Sequence, residues 1–363
     1  MALTVELLPA CEGDALWVRH AADGVSFNML VDGGRRATGR FLVERIRASP
    51  KLPVRLDLLV VTHVDRDHVE GVIELLEQCD ESELTVGGIW FNGYTHLPAR
   101  PLPEDALQAQ GAVMGNRLEA LILEQGIPWN EPFGGKAVAW DEVSFSSIMA
   151  APQLRLTVLG PGYSALAALR PKWERECQRA GITPGGSDLQ DFVLAQQGAS
   201  AAFDFAALYA MPFRDDDAVA NGSSIVLLVE DLSPDGGSVL LAGDALAHPL
   251  EQALRILRAE RDDLRIDAMK VPHHGSQRNL SLDLLEAVGC TTYLVSTNGD
   301  YFHHPDDVSL ARIVRHGQRS GQRPTLYFNY TTPRTQPWCS QQRQGELGYQ
   351  IRVAIAKEGI VWP

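Results

Sequence analysis

Thr62-His63-Val64-Asp65-Arg66-Asp67-His68 places two imidazoles and two carboxylates within six residues, directly behind the apolar stretch Leu56–Val61. Nitrogen and oxygen donors gathered at the exit of a buried strand suit a hard or borderline divalent cation such as Zn²⁺ or Mn²⁺, whereas a soft-metal site would call for thiolates. The plainer alternative is a polar strand-to-helix loop in which an aspartate caps the helix. Three further places repeat the pattern of an apolar strand running into a metal-competent side chain. They are Asp244 after Gly243, His273-His274-Gly275-Ser276, and His303-His304-Pro305. In α/β folds, functional groups gather at strand ends, where the loops are exposed and the strands hold them rigid. Core packing alone does not account for that pattern arising four times.

The elements that must position these groups alternate strand and helix, which indicates a layered α/β fold. Strands are expected at Leu3–Leu8, Ala15–Arg19, Phe27–Val31, Leu56–Val61 and Ile89–Phe91, with helices near Thr38–Ala48 and Val69–Gln78. The middle reads differently. Pro98–Gly126 and Leu166–Ala180 are helical in pattern, Leu154–Leu159 is a strand, and Gly181–Ala220 is irregular and polar. The region 96–220 is therefore expected to be a large, mainly helical and irregular insertion, a lid or partner surface within a single domain spanning 1–363. Regular structure resumes with Ser224–Glu230, Val239–Asp244, a helix near Pro249–Arg261, Ala268–Val271 and Tyr293–Ser296. Tyr349–Ala356 and Ile360–Trp362 close the chain.

Apolar content of 45% with 21% charged residues fits a globular protein, and no stretch approaches the ~20 apolar residues of a membrane helix. The first residues lack the features of a signal peptide. Five scattered cysteines, none in a CxxC pair, argue against a disulfide framework or a thiolate zinc site. A cytoplasmic protein without membrane contact is the expectation. The net charge of −14 opposes non-specific attraction to nucleic acid. Residues 308–345 are an exception, with no acidic residue, several arginines including Arg319 and Arg323, and the aromatics Tyr327, Phe328 and Tyr330. Such a segment could cradle a polyphosphate and stack bases, or be a solvated helix face followed by a strand.

The joint pattern resembles the metallo-β-lactamase superfamily, an αββα sandwich with a one- or two-metal site at one edge of its two sheets. The usual first motif, His-x-His-x-Asp-His, here reads His63-x-Asp65-x-Asp67-His68. That departure resembles the metallo-hydrolase domain of ComEC-type DNA-uptake proteins. So do Glu12-Gly13-Asp14-Ala15, Asp32-Gly33-Gly34, Leu159-Gly160-Pro161, Asn221-x-x-Ser224, Gly243-Asp244, His273-His274-Gly275-Ser276 and His304-Pro305.

Carried onto this chain, the resemblance implies a first metal held by His63 and Asp65. A second is held by Asp67, His68 and His273, with Asp244 bridging. Asn221 stands where the first metal's third histidine belongs, and as a weak amide ligand it makes that site the looser one. A carboxylate-rich site tilts the choice from Zn²⁺ towards Mn²⁺. Two ions about 3.5–4 Å apart would generate a bridging hydroxide. Asp67 would orient or deprotonate it, while His274 and His304 would neutralise a phosphoryl oxygen or protonate the leaving group. Asp14 more readily shapes a turn or holds a ligand in place than binds metal, and His96 reads as a surface histidine.

The expected function is a metal-dependent phosphodiesterase or nuclease, with Asn221, Ser276, Arg319 and Arg323 contacting a nucleic acid or another phosphodiester. A hydrolase of a small phosphoester or lactone-like acyl substrate is the alternative. A catalytically degenerate metal-binding scaffold, with a protein partner docking on 96–220, is a third reading.

Overall fold

The computed structural model describes residues 3–98, 111–141, 143–184, 203–355 and 358–363. The chain opens with an antiparallel meander of β1 (Thr4–Leu7), β2 (Leu16–Ala22) and β3 (Val25–Val31). Helix α1 (Arg36–Arg47) leads to β4 (Val54–Leu56) and β5 (Leu58–Val61), and α2 (Arg66–Gln78) leads to β6 (Leu84–Val86) and β7 (Ile89–Phe91). Next come α3 (Gly111–Glu124), β8 (Ser147–Ala151), β9 (Leu154–Gly160), α4 (Tyr163–Ala180), α5 (Phe205–Ala210) and α6 (Val219–Gly222). The remainder is β10 (Val226–Asp231), β11 (Ser238–Leu241), α7 (Ala247–Glu260), β12 (Ala268–Lys270), α8 (Leu282–Val288), β13 (Thr292–Val295), α9 (Asp307–Ser320), β14 (Thr325–Phe328), α10 (Gln341–Leu347), β15 (Gln350–Val353) and β16 (Ile360–Trp362).

One sheet has the order β16-β1-β2-β3-β5-β7 and the other β15-β14-β13-β12-β11-β10-β9-β8. Alternate residues of the two sheets meet: Val5, Leu7, Val18, Met29 and Val60 pack against Leu156, Val158, Leu227, Val229 and Leu241. The opposite faces are apolar too, because helices cover them. Leu30, Leu59 and Val61 meet Leu42 and Ile46 of α1 and Val69, Val72 and Ile73 of α2, residues at helical spacing. Leu228, Leu240, Met269 and Tyr293 meet Leu250 and Leu254 of α7 and Leu310, Ile313 and Val314 of α9. The layering is helix, sheet, sheet, helix, as expected. Each fully buried Leu or Val contributes roughly 1.5–3 kcal/mol, and these three contiguous clusters hold the strand ends in place.

Two expectations need correction. Leu56–Val61 is not one strand, because Asp57 interrupts it. Its carboxylate accepts from Asn28 N–H at 2.9 Å and from Arg55 Nε at 2.7 Å, and β4 pairs with β6 outside the main sheet. Nor is 96–220 a single insertion. Within it β8 and β9 form one edge of the second sheet, β9 pairing antiparallel with β10. The helices α3 and α4 extend the layer begun by α1 and α2. Residues 99–110 and 185–202 of that region lie outside the described residues, as does Ala356 of the expected closing strand. Among the described residues, no helix is long and apolar enough to cross a membrane.

Candidate metal centre

Strands β5, β11, β12 and β13 end at a common edge, and backbone bonds tie their exits together. Ile225 N–H donates to Thr62 O at 2.9 Å, and His273 N–H donates to Gly243 O at 3.1 Å. Two glycines permit close approach on the first-sheet side. A Cβ on Gly13 would lie 1.7 Å from Asp67 O, and one on Gly71 would lie 1.9 Å from Gly33 O. The motifs Glu12-Gly13-Asp14 and Asp32-Gly33-Gly34 therefore seat the first turn of α2, which carries Asp67 and His68.

Around Asp244 the donor atoms converge. His68 Nε2 lies 3.3 Å from Asp244 Oδ1, and His274 Nε2 lies 3.5 Å from Oδ2 and 3.3 Å from Asp67 Oδ2. His63 Nε2 is 3.9 Å from Asp244 Oδ2 and 3.7 Å from Asp65 Oδ2. Sets with all donor atoms within 4.8 Å of one another include His63–His68–Asp244 and Asp67–His68–His274. Asp65 belongs to no such set among the described residues. It occupies the cap position of α2 without making a capping bond, and its side chain keeps 38% of its surface exposed.

The sequence expectation assigned His273 to the second metal and left His274 to the substrate; in the structure it is His274 that joins the donor set of Asp67 and His68. Both residues adopt left-handed backbone (φ 46° and 53°), which sets their rings 75° apart. His274 is buried and turns its Nε2 onto Asp67 and Asp244. His273 turns its Nδ1 to Asn279 Oδ1 at 3.0 Å and Asp216 Oδ2 at 3.5 Å, leaving Nε2 3.8 Å from Asp244. Asn221 Nδ2 donates to Asp216 Oδ2 at 2.7 Å and lies 3.2 Å from His273 Nδ1. Ser276 is buried, its Oγ accepting from Arg278 N–H at 3.2 Å, which makes it a turn residue. The His304 ring is 5.2 Å from that of His273, and burial holds it below the ordinary imidazole value despite Asp306. His96 packs edge-on against Trp129.

Sequence reasoning gave Asp14 as a residue that shapes a turn or holds a ligand in place, but overlooked the roles of Asp32 and Lys270 beside these donors. Asp32 is buried; its Oδ1 accepts from Thr62 N–H at 2.8 Å and its Oδ2 faces Thr62 Oγ1 and His68 Nδ1, each at 2.8 Å. A carboxylate behind a histidine fixes the ring's orientation and raises its basicity. His274 Nδ1 instead bonds to Ser296 O at 3.0 Å, with the Asp14 carboxylate 3.3 Å away as a charge partner. Lys270, fully buried in β12, pairs with Asp14, donates to Gly243 O at 3.1 Å and lies 3.9 Å from Asp244 Oδ1. The available signal was a lone lysine inside an otherwise apolar strand.

The donor set fits a divalent cation on two counts. His63 Nε2, His68 Nε2, His274 Nε2 and Asp244 Oδ1 are buried without a hydrogen-bond partner, a costly state unless something binds them. The carboxylates of Asp14, Asp32, Asp67 and Asp244 are all buried, and among the described residues Lys270 is the one permanent cation within ion-pair distance of them. The imidazoles take up the remaining positive charge. Burial would lower His68 and His274, but Asp244 and its neighbours outweigh it, raising His68 well above its usual value and His274 to about 9. His63 is pushed down to about 3 by burial and by the neighbouring His68 charge, so it is a neutral donor.

The arginine-rich segment does not reach this edge as expected. Arg319 lies in the last turn of α9, about 18 Å along the helix from Asp307 at 1.5 Å per residue, and Arg323 lies just beyond it. Arg323 donates to Tyr349 O. Arg312 is buried and donates to Gln277 O and Leu280 O, while Arg315 and Arg343 lie over the rings of Tyr209 and Phe203. Phe328 is buried, and Tyr330 Oη accepts from Cys11 N–H. These side chains secure the 203–213 segment and the second sheet instead of forming a free basic face.

No protein-family model matches the chain. A stretch of 123 residues is 27% identical to ComE operon protein 3 of Bacillus subtilis (strain 168), covering 33% of this chain and 15% of that protein. The chain resembles ComEC-type proteins. Among solved structures, metallo-β-lactamase SMB-1 bound to 2-mercaptoethanesulfonate is 13% identical, covering 87% of this chain and 95% of its own at a TM-score of 0.30. The Rm3 metallo-β-lactamase is likewise 13% identical, with coverages of 88% and 92% and a TM-score of 0.28. The two-sheet layering itself stands on this chain's own strand order.

Proposed function

We propose that the chain is a metal-dependent phosphodiesterase acting on nucleic acid. The observation that carries this reading is the convergence of three partnerless buried imidazole nitrogens on Asp67 and Asp244. His68, His274 and Asp67 would hold one cation. His63 with Asp65 would hold the other, and Asp244 would be shared. A cation there supplies Lewis acidity towards a phosphoryl oxygen and a water that is nucleophilic at neutral pH. Ser296 O, with Asp14 beside it, keeps His274 aimed, and Asp32 does so for His68. Asp67 is held far below the usual carboxylate range, burial being outweighed by His68 and His274, so it orients a water and is too weak a base to take its proton. His304, neutral at pH 7, acts as a hydrogen-bonding group and not as a charge. The partial match to ComE operon protein 3 supports the nucleic-acid assignment.

The test offers purified protein labelled single-stranded DNA, duplex DNA, RNA and bis-p-nitrophenyl phosphate, with Mn²⁺, Zn²⁺ or EDTA. Metal-dependent cleavage of polymer, abolished in Asp67→Ala/His68→Ala, is the expected result. Turnover of the small diester alone would instead support a small-phosphoester hydrolase. The engagement of Arg312, Arg315, Arg323 and Arg343 in internal contacts favours that second reading. Inertness under every metal would leave a binding scaffold.

A further inference from the structure

Two large rings stand exposed at the mouth of the cluster. Tyr301 and Phe302 are 44% and 41% exposed, on the loop between β13 and α9. Single exposed apolar residues need no explanation, but this pair is continuous with the site. The two rings meet edge-to-face at 4.6 Å. Phe302 lies nearly parallel to His304, 19° apart at 6.3 Å, and 6.4 Å from His273, whose ring is 5.9 Å from that of His274. A line of rings therefore runs from the metal cluster to solvent.

The loop is tied down at both ends. Asn298 N–H donates to Cys11 O at 2.7 Å, and Asp306 N–H donates to Gly275 O at 3.0 Å. Between them Asn298 Nδ2 donates to Asp300 Oδ2 at 2.9 Å, Asp300 N–H donates to Asn298 Oδ1 at 3.0 Å, and His303 Nδ1 faces Gly299 O at 3.3 Å. Aromatic faces held this way next to a phosphodiester site suit a planar heteroaromatic ring. Every nucleobase offers such a face once it is unpaired.

We infer that Tyr301 and Phe302 form a stacking platform for an unpaired base of a single-stranded nucleic acid, adjacent to the phosphodiester held at the cluster; this rests on the phosphodiesterase reading above. A paired duplex keeps its bases stacked on one another and cannot use the platform without unpairing. Single strands are therefore the preferred substrate.

The test measures binding of a labelled phosphorothioate oligothymidylate, chosen to slow cleavage, by fluorescence anisotropy with Mn²⁺. An abasic strand of equal length is measured in parallel. Tyr301→Leu/Phe302→Leu, which keeps apolar bulk but removes the rings, should weaken oligothymidylate binding by about tenfold or more. Phe302→Trp should retain it. The abasic strand should bind wild type and double variant equally weakly. Wild-type affinity in the double variant, or equal wild-type affinity for both strands, would overturn the platform. The two ideas fail separately. Ring-dependent binding with no metal-dependent cleavage sinks the phosphodiesterase and keeps the platform. Metal-dependent cleavage indifferent to both rings does the reverse.

Discussion

The donors around Asp244 fall into two differently finished halves of one site. In one stand His68, backed by Asp32, and His274, bonded to Ser296 O beside Asp14 and Lys270, all buried. In the other, His63 and His273 stand further from Asp244, and Asp65 is partly in solvent. The difference teaches that full burial with a held ring, more than the number of donors, would make a cation position on His68 and His274 the more pre-organised one, while Asp65 and the half-open His273 would be completed on binding.

The largest break in that contrast should come from the adjacent histidines. His274→Ala should remove the tighter cation and lower kcat/KM on the order of 10³-fold, while His273→Ala should cost about tenfold or less. Metal content by mass spectrometry beside steady-state kinetics decides; equal losses would erase the distinction. Next in size is Lys270→Met, which leaves Asp14 buried beside Asp244 without its cation. Urea unfolding in EDTA should show a loss of about 3–5 kcal/mol, partly recovered by added Mn²⁺. Asp65→Asn, on the open half, should stay within about 1 kcal/mol of wild type. A Lys270→Met protein as stable as wild type would mean that the charge balance has been misread.

Asp32→Asn should weaken the tighter cation by about 10–100-fold with little effect on the other, as read by competitive chelator titration. The halves should also differ in pH dependence. His274 has a folded value of about 9, raised above the ordinary 6.5, so in EDTA its contribution to stability is full below pH 6.5 and fades as pH rises towards 9. Cation binding must displace that proton, so affinity at the finished half should increase with pH up to about 9. His63, at about 3, imposes no such dependence near neutrality. Isothermal titration in buffers of different ionisation enthalpy would expose the proton release, and none at pH 7 would contradict the scheme. The smallest effect is expected from Arg319→Glu/Arg323→Glu, which should change neither polymer binding nor its salt slope beyond twofold or so; a clear loss would restore the basic tail as a contact surface.

Much of this was legible from residue patterns. The period-two strands, the helical spacing in α1 and α2, and the strand-end placement of His63, Asp67, His68 and Asp244 follow from burial alone. Other features depend on geometry that spacing does not encode. Which of two neighbouring histidines turns inward is set by two successive left-handed residues. Lys270 occupies a strand position that hydrophobic patterning treats as an error until Asp14 is seen beside it. Arg312, Arg315, Arg323 and Arg343 look free in sequence because backbone carbonyls and the rings of Tyr209 and Phe203 that they meet come from distant segments. The strand β9 was legible as the apolar run Leu154–Leu159, but its pairing with β10 was not, because helices and a long polar stretch separate the two in sequence.

The first strand has a further consequence. β1 lies between β2 and β16, with Val5 opposite Trp362, and Tyr330 and Asn329 bond back to Cys11 and Leu8. On the ribosome, the opening strand must therefore wait for residues near the other end of the chain before its outer edge is paired. Contacts of such sequence separation slow folding and prolong the exposure of an unpaired edge. The donor residues run from Asp14 to His274, so any cation would be taken up only after most of the strands have been made.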